Sequence, residues 1–336
     1  MAENMGPAKY QTVGEFAEAI RAGKRSALAR GITLVESRRA DHQKQAQELL
    51  LALGRKRSDS IRVGITGVPG VGKSTFIEAV GTRLTGQGHK VAVLAVDPTS
   101  SRTGGSILGD KTRMVGLANN PDAFVRPSPT SGKLGGVTAT TREAMILCEA
   151  AGYDVILVET VGTGQSEIQV ADMVDFFLLL VLPGAGDELQ GIKKGVLELA
   201  HMVAVNKAED DRSLLVKQAV RELKSALKML VPLNADWQPP VRTCSAINDE
   251  GLDTLWQDIE KFAGLAKASG AFKEKRKTQT VRWMWDRIED RLLFDLKTAD
   301  VVSKLAPELE ARVMEGRTTP ALAADRLLEV FYQSQN

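Results

Sequence analysis

Residues 67–74 read Gly67-Val68-Pro69-Gly70-Val71-Gly72-Lys73-Ser74, three glycines followed by an ammonium and a hydroxyl. This spacing lets backbone N–H groups close around a phosphate, because no bulkier residue folds so tightly around an anion. Lys73 brings a mobile positive charge to the β- and γ-phosphate oxygens, and the Ser74 hydroxyl can ligate Mg²⁺. The apolar run 61–66 in front reads as a strand, and Thr75 and the residues after it read as a helix, whose N-terminus favours anions. A nucleotide-binding protein is implied.

Carboxylates at the ends of later apolar runs extend the chemistry. Asp97 ends the run 91–96, and Asp110 closes a glycine-rich stretch behind it. Mg²⁺ is hard, takes oxygen ligands and keeps several waters, so both acids are candidate metal ligands, direct or through water. Read singly, Asp97 is also a turn or helix cap and Asp110 a solvated loop charge. The run 153–158 ends in Glu159-Thr160-Val161-Gly162, where many GTPases carry Asp-x-x-Gly. Glu159 can hold the metal or its water, and the Gly162 N–H can sense a γ-phosphate, which makes residues 163–167 a candidate switch. Gln165 either orients attacking water or starts the next helix.

Base recognition has its own string, Asn206-Lys207-Ala208-Glu209, against the Asn-Lys-x-Asp of guanine-specific proteins. A carboxylate there accepts from guanine N1–H and the exocyclic amine, which adenine does not offer in that arrangement. Glu209 is one methylene longer than aspartate, so either it adjusts or Asp210 takes the place. Ser245-Ala246-Ile247 follows a further apolar run where such proteins touch the guanine carbonyl. The order and spacing of these strings argue for GTP.

These residues need a scaffold, and the pattern supplies one. Short apolar runs at 61–66, 91–96, 153–158, 176–182, 202–205 and 241–243 alternate with longer helical patterns. Continuous apolar strands between helices predict an α/β fold with a mostly parallel sheet covered by helices. Helical extensions flank it. Residues 1–60 carry Phe16, Ile20, Leu28, Ile32, Leu34, Leu49, Leu50 and Leu53 at loose helical spacing, 61–265 form the nucleotide domain, and 266–336 form a strandless helical arm. In that arm Val281, Trp285, Ile288, Leu292 and Leu296 trace one stripe, and Pro320 opens a helix carrying Leu327, Leu328 and Phe331. Trp283 and Trp285 project from different faces of one helix, so both faces need cover, and a homodimer through the arm is expected.

Composition narrows the classes further. The 336 residues carry a net charge of +2 and 5 % aromatics, so no basic, base-stacking surface for nucleic acid is expected. The basic run Lys273-Glu274-Lys275-Arg276-Lys277 reads as a solvated linker. Two cysteines, Cys148 and Cys244, read as reduced cytosolic thiols, and no stretch is apolar enough to span a bilayer, so a soluble cytoplasmic protein is expected.

The phosphate loop, Val96-Asp97-Pro98-Thr99-Ser100-Ser101, the stretch from Glu159 through Gly164-Gln165-Ser166-Glu167, and Asn206-Lys207 together resemble the MeaB family of P-loop GTPases. The family takes in a bacterial chaperone, a human counterpart associated with methylmalonic aciduria, and proteins once labelled arginine/ornithine transport ATPases. The resemblance covers nearly the whole chain. It implies a GTPase that binds adenosylcobalamin-dependent methylmalonyl-CoA mutase, gates cofactor loading and protects or reactivates that enzyme, with Mg²⁺ as cofactor. It maps switch regions onto 97–113, 162–167 and 183–193, which makes Arg113 and Lys193 candidates for partner-dependent catalysis. Lys193 and Lys194 read alone solvate a helix face. With only His42, His89 and His201 and no Cys-x-x-Cys, the ligands of a metal-insertion GTPase are not visible. An ATP-dependent kinase or transport-linked ATPase is the main rival reading.

Overall fold

The computed structural model describes residues 10–37, 39–54, 59–96, 114–127, 134–160, 166–184, 194–209, 213–230 and 236–335. Contacts divide the chain into two compact units, Met1–Gln279 and Thr280–Asn336.

In the first unit, the described residues begin with α1 (Val13–Arg21), α2 (Arg25–Glu36) and α3 (Ala40–Leu53). Then follow β1 (Ile61–Thr66), α4 (Lys73–Gly86), β2 (Val91–Val96), α5 (Val115–Asn119), β3 (Ala123–Arg126), α6 (Leu134–Ala150) and β4 (Val155–Thr160). The series continues through α7 (Ser166–Ala171), β5 (Phe176–Val181), α8 (Lys194–Leu199), β6 (Met202–Val205), α9 (Leu214–Leu230), β7 (Val241–Thr243) and α10 (Leu252–Ala268). Helix α11 (Ala271–Thr298) crosses the division between the units, and α12 (Asp300–Met314) and α13 (Pro320–Gln335) complete the second.

Among the described residues seven strands form one sheet in the order β3-β2-β4-β1-β5-β6-β7, and these strands pair in parallel. Strand β1 is central: the chain leaves it toward β2 and β3 on one side, then returns through β4 and passes over β1 to β5, β6 and β7 on the other. Loops at the carboxyl ends of such strands surround a crevice at this reversal, the usual ligand position in open α/β sheets. Strands β4 and β5 are buried along their whole length, as a sheet covered on both faces requires. One face packs Val63, Ile65, Phe76, Ile77 and Val80 with Leu252, Leu255 and Ile259 of α10. On the other face a Cβ at Gly64 would come within 3.0 Å of Val170, Val174 and Phe177, so α7 and the turn after it approach β1 more closely than a side chain would allow.

The N-terminal helices bury Phe16, Ile20, Leu28, Ile32, Leu34, Leu49 and Leu53. They pack against α6, where Gly31 sits against Leu147 and Gln47 bonds Glu143 at 2.8 Å, and Arg25 also donates to the Asn120 carbonyl at 3.0 Å. In the second unit Val302, Leu309, Ala323 and Phe331 are buried.

Three expectations change. The run read as 153–158 forms its strand two residues later, because pairing with β1 and β2 extends to Glu159 and Thr160. Strand β3 escaped the pattern: it has four residues, sits at the sheet edge and is only half covered. The basic run is no solvated linker. It lies in the first turns of α11, where Arg276 Nε and Nη2 donate to Asp175 at 2.8 and 2.6 Å and Lys275 Nζ donates to the Asp175 carbonyl at 2.9 Å. Asp175 is 1 % exposed and also accepts the Arg62 N–H at 2.8 Å. Arg62 in turn donates twice to Glu149 at 2.8 Å, and the Ser60 hydroxyl donates to the same carboxylate at 2.6 Å. Burial pushes the Glu149 carboxyl up, yet Arg62, Arg276 and Ser60 outweigh it and hold it below its ordinary value. The basic run is thus held by carboxylates at the entry ends of the strands.

Candidate nucleotide site

Backbone geometry shapes the phosphate loop. Gly67 has φ +148° and its missing Cβ would strike the Leu180 carbonyl, while Gly72 has φ +93° and a Cβ there would lie 2.9 Å from Asn206 Nδ2. Both positions need glycine, for conformation and for room. Gly72 then starts α4, accepting the Phe76 N–H at 2.9 Å, so Lys73, Ser74 and Thr75 form the first helical turn with their N–H groups at its anion-binding end. Pro69 and Gly70 are exposed at the lip, and Val71 is fully buried beneath it.

Lys73 is 8 % exposed, and its Nζ donates to the carbonyls of Gly67 and Val68 at 2.7 and 3.1 Å. Burial lowers the affinity of its amine for a proton, an effect that Glu159 and Glu167 partly oppose. A desolvated ammonium bonded to backbone carbonyls gains when polyphosphate oxygens approach it. Beside it, Ser74 Oγ donates to Glu159 Oε1 at 2.9 Å. The register explains the meeting: Glu159 lies between Ile65 of β1 and Ala95 of β2, level with the end of the strand that feeds the loop. The Ser74 hydroxyl and the Glu159 carboxylate offer adjacent hard oxygens, a donor set that fits Mg²⁺ sharing its other positions with water and phosphate. Thr160 follows with its hydroxyl donating to Thr66 at 2.8 Å, which ties the ends of β4 and β1 together.

Asn206 joins this half of the site to the other. It is 1 % exposed at the end of β6, its backbone N–H donates to Val181, and its Nδ2 donates to the Val71 carbonyl inside the phosphate loop at 2.8 Å. Its Oδ1 accepts from the Ala246 N–H at 3.3 Å and from Cys244 Sγ at 3.5 Å. Lys207 follows in the left-handed region at φ +59°, and the Ala208 N–H returns to the Cys244 carbonyl at 3.0 Å. Ser245 is buried, pairs with Glu250 across a two-bond bridge, and donates its hydroxyl to Glu209 Oε1 at 3.2 Å. Glu209 is exposed, with its carboxylate held over the Ser245–Ala246 turn, and Ile247 points into solvent.

Gly67 to Thr75, Glu159, Asn206, Lys207, Glu209, Ser245 and Ala246 therefore gather at the carboxyl ends of β1, β4, β6 and β7. Asp97, Asp110, Arg113 and Lys193 lie outside the described residues, as do Gly162 to Gln165 and Asp210. Glu167 is described and buried in α7. Sequence reasoning read Cys244 only as a reduced thiol and missed its bond to Asn206. Its burial pushes the thiol up to about 12, so it serves as a small packed donor to Asn206 and not as a nucleophile. Its position, directly before Ser245-Ala246 at a strand end, was the available signal.

The family described as Methylmalonyl Co-A mutase-associated GTPase MeaB matches residues 28–301. A probable GTPase of Mycobacterium tuberculosis is 56 % identical over 319 residues, 95 % of each chain. The methylmalonic aciduria type A homolog of Mus musculus is 48 % identical over 92 % of this chain and 77 % of its own, and the GTPase ArgK of Escherichia coli is 45 % identical over 96 % and 98 %. A crystal structure described as an LAO/AO transport system kinase superposes with a TM-score of 0.76 at 38 % identity, covering 97 % of this chain and 99 % of that one. With the phosphate loop intact, and relatives of this closeness aligned along nearly its whole length, the chain belongs to the MeaB family of P-loop GTPases.

Proposed function

We propose that this GTPase binds methylmalonyl-CoA mutase and uses GTP hydrolysis to time the loading of adenosylcobalamin and the protection or reactivation of that enzyme. The partner rests on the family match over residues 28–301 and on the name carried by the mouse relative. The guanine reading is carried by Asn206, whose single amide bonds both the phosphate loop at Val71 and the Ser245–Ala246 turn. That side chain holds a base subsite and a phosphate subsite in one register. Glu209, steadied by Ser245, is the carboxylate we assign to the guanine N1–H and amine. Buried polar groups that need a matching base reject the wrong one by as much as roughly 10⁴.

In the reaction Lys73 neutralises β- and γ-phosphate oxygens while the N–H groups of the loop and of Lys73 to Thr75 cradle the chain of phosphates. Ser74 and Glu159 would hold Mg²⁺, with Asp97 and Asp110 as further candidates, and the ion would supply charge neutralisation of the phosphates. Water attacks the γ-phosphorus in line, the bond to the β–γ bridging oxygen breaks, and GDP leaves with phosphate. Arg113 and Lys193 are the cations we assign to partner-stimulated hydrolysis, a contribution worth roughly 10³ to 10⁵ in rate in related chemistry. The stripe of Val281, Trp285, Ile288 and Leu292 is 38 to 57 % exposed on the single chain, which supports a homodimer through the second unit, in a cytoplasmic protein. No helix among the described residues is long and apolar enough to cross a membrane.

Isothermal titration with GDP and ADP, followed by GTP turnover with and without methylmalonyl-CoA mutase, tests the proposal. Selective GDP binding and mutase-raised turnover are expected. Equal binding of ADP would favour the kinase reading, and an unchanged rate with mutase would remove the partner.

A further inference from the structure

The turn that carries Ser245 and Ala246 is held on both of its arms. Ser245 and Glu250 close it by two backbone bonds, at 3.1 and 3.0 Å, and Gly251 ends it at φ +74°, where a Cβ would fall 2.5 Å from the Thr243 carbonyl oxygen. The arm leading in is tied to the nucleotide site: the Ala246 N–H donates to Asn206 Oδ1, and Ser245 Oγ donates to Glu209 Oε1 and accepts the Asn248 N–H at 3.2 Å. The arm leading out is tied to α4. Arg83 donates through Nη2 to Asp249 Oδ2 and, at 3.4 Å, to the Asp249 carbonyl, and through Nη1 to Asp253 Oδ2 in the first turn of α10.

Asp249 has φ +60°, a left-handed conformation that residues other than glycine seldom take, and Arg83 grips this residue at both its carboxylate and its carbonyl. Ile247, between the two arms, is 73 % exposed, so little apolar burial fixes the tip and its polar ties decide where it stands. Arg83 lies on the helix that begins with Lys73 and Ser74, about 15 Å along the axis from Lys73, and helical side chains lean back toward the N-terminus. Its fork therefore refers the outer arm of the turn to the phosphate-binding helix, as Asn206 refers the inner arm to the phosphate loop.

We propose that Arg83 is a positioning residue for the base: by pinning Asp249 and Asp253 it holds the Ser245–Glu250 turn at the distance from the phosphate loop that a guanine nucleotide needs. This rests on the proposed function, in which Asn206, Glu209 and that turn read guanine. The Arg83, Asp249 and Asp253 side chains are 25, 57 and 55 % exposed, so solvent screens the pin and its effect is modest. A merely stabilising ion pair would alter the melting temperature and leave the choice of base alone. A pin on the base turn alters the choice of base and leaves the grip on phosphate alone.

The test is isothermal titration of the full chain with GDP, ADP and inorganic pyrophosphate, well below the melting temperature. Arg83→Ala should weaken GDP by about three- to tenfold, the scale of a partly exposed ion-pair network, while pyrophosphate, which fills the phosphate subsite alone, stays within about twofold and the preference for GDP over ADP narrows. Raising the salt concentration should shrink the gap between wild type and Arg83→Ala. Asp249→Asn, which keeps a residue at ease in left-handed backbone but removes the charge, should weaken GDP in the same way, and Arg83→Lys should recover part of the affinity by meeting one carboxylate. The double variant Arg83→Ala/Asp249→Asn should bind GDP little worse than either single. An unchanged GDP affinity in Arg83→Ala, an equal loss for pyrophosphate, or single losses that multiply in the double variant would each overturn the proposal. A wild-type chain that binds GDP and ADP equally would instead overturn the proposed function.

Discussion

Asp175→Ala tests whether the basic run at the start of α11 is structural. Asp175 is 1 % exposed and its carboxylate accepts three bonds, from the Arg62 N–H and from Nε and Nη2 of Arg276. Removing one partner of a buried ion pair costs about 3 to 5 kcal/mol, since the remaining charge stays buried without compensation. Here the Arg276 side chain is 20 % exposed and keeps Glu149 at 3.5 Å and the Ser60 carbonyl at 2.9 Å, so the low end, about 3 kcal/mol, applies. A unit of this size shifts by roughly 2 to 4 °C per kcal/mol, giving a fall of about 6 to 12 °C in thermal unfolding followed by circular dichroism. Asp175 precedes β5 and Arg62 lies near the start of β1, whereas Gly67 follows the far end of β1. A six-residue strand spans about 20 Å, so GDP affinity well below the melting temperature should stay within about twofold. The double variant with Arg276→Ala should lose clearly less than the sum of the two singles. A fall below about 2 °C, or a large loss of GDP affinity, would refute the reasoning.

Asn206→Ala should weaken GDP binding and lower stability together, by about 1 to 3 kcal/mol in stability, because the Ala246 N–H and the Val71 carbonyl lose their shared partner; calorimetry on the free chain reads one effect and nucleotide titration the other. His201 gives a pH signature. Burial, with Lys275 adding to it, lowers its pKa to about 3 from 6.5, and its Nδ1 accepts the Phe177 N–H at 3.2 Å. The unfolded chain takes up this proton near pH 6.5 and the folded chain does not, so the stability this group contributes is full above pH 6.5 and falls as the pH drops toward 3. Denaturant titrations from pH 6.5 downward should show His201 contributing a slope approaching about 1.4 kcal/mol per pH unit, and His201→Gln should flatten it; an equal slope in both proteins would remove the assignment.

What the sequence disclosed follows the range of the interactions involved. Phosphate-loop residues are contiguous, and their types follow from local backbone demands, so Gly67, Gly72, Lys73 and Ser74 could be read without a fold. Apolar strands such as β4 and β5 announce themselves because both faces are buried. Strand β3 did not, since an edge strand of four half-covered residues carries almost no periodic signal. The basic run of α11 shows the opposite failure. Charge patterning reads Lys275 and Arg276 as solvated because the acids that bind them, Asp175 and Glu149, lie about a hundred or more residues away in the chain. The same limit hid the partnership of Asn206 with Cys244. Local chemistry identified the groups that would touch the nucleotide; the tertiary fold alone identified those that hold them still. Variants of the first kind should therefore alter ligand affinity or turnover with little change in melting temperature, whereas those at the sheet base should do the reverse. Asn206 belongs to neither group cleanly, because its amide ties the phosphate loop to the Ser245–Ala246 turn.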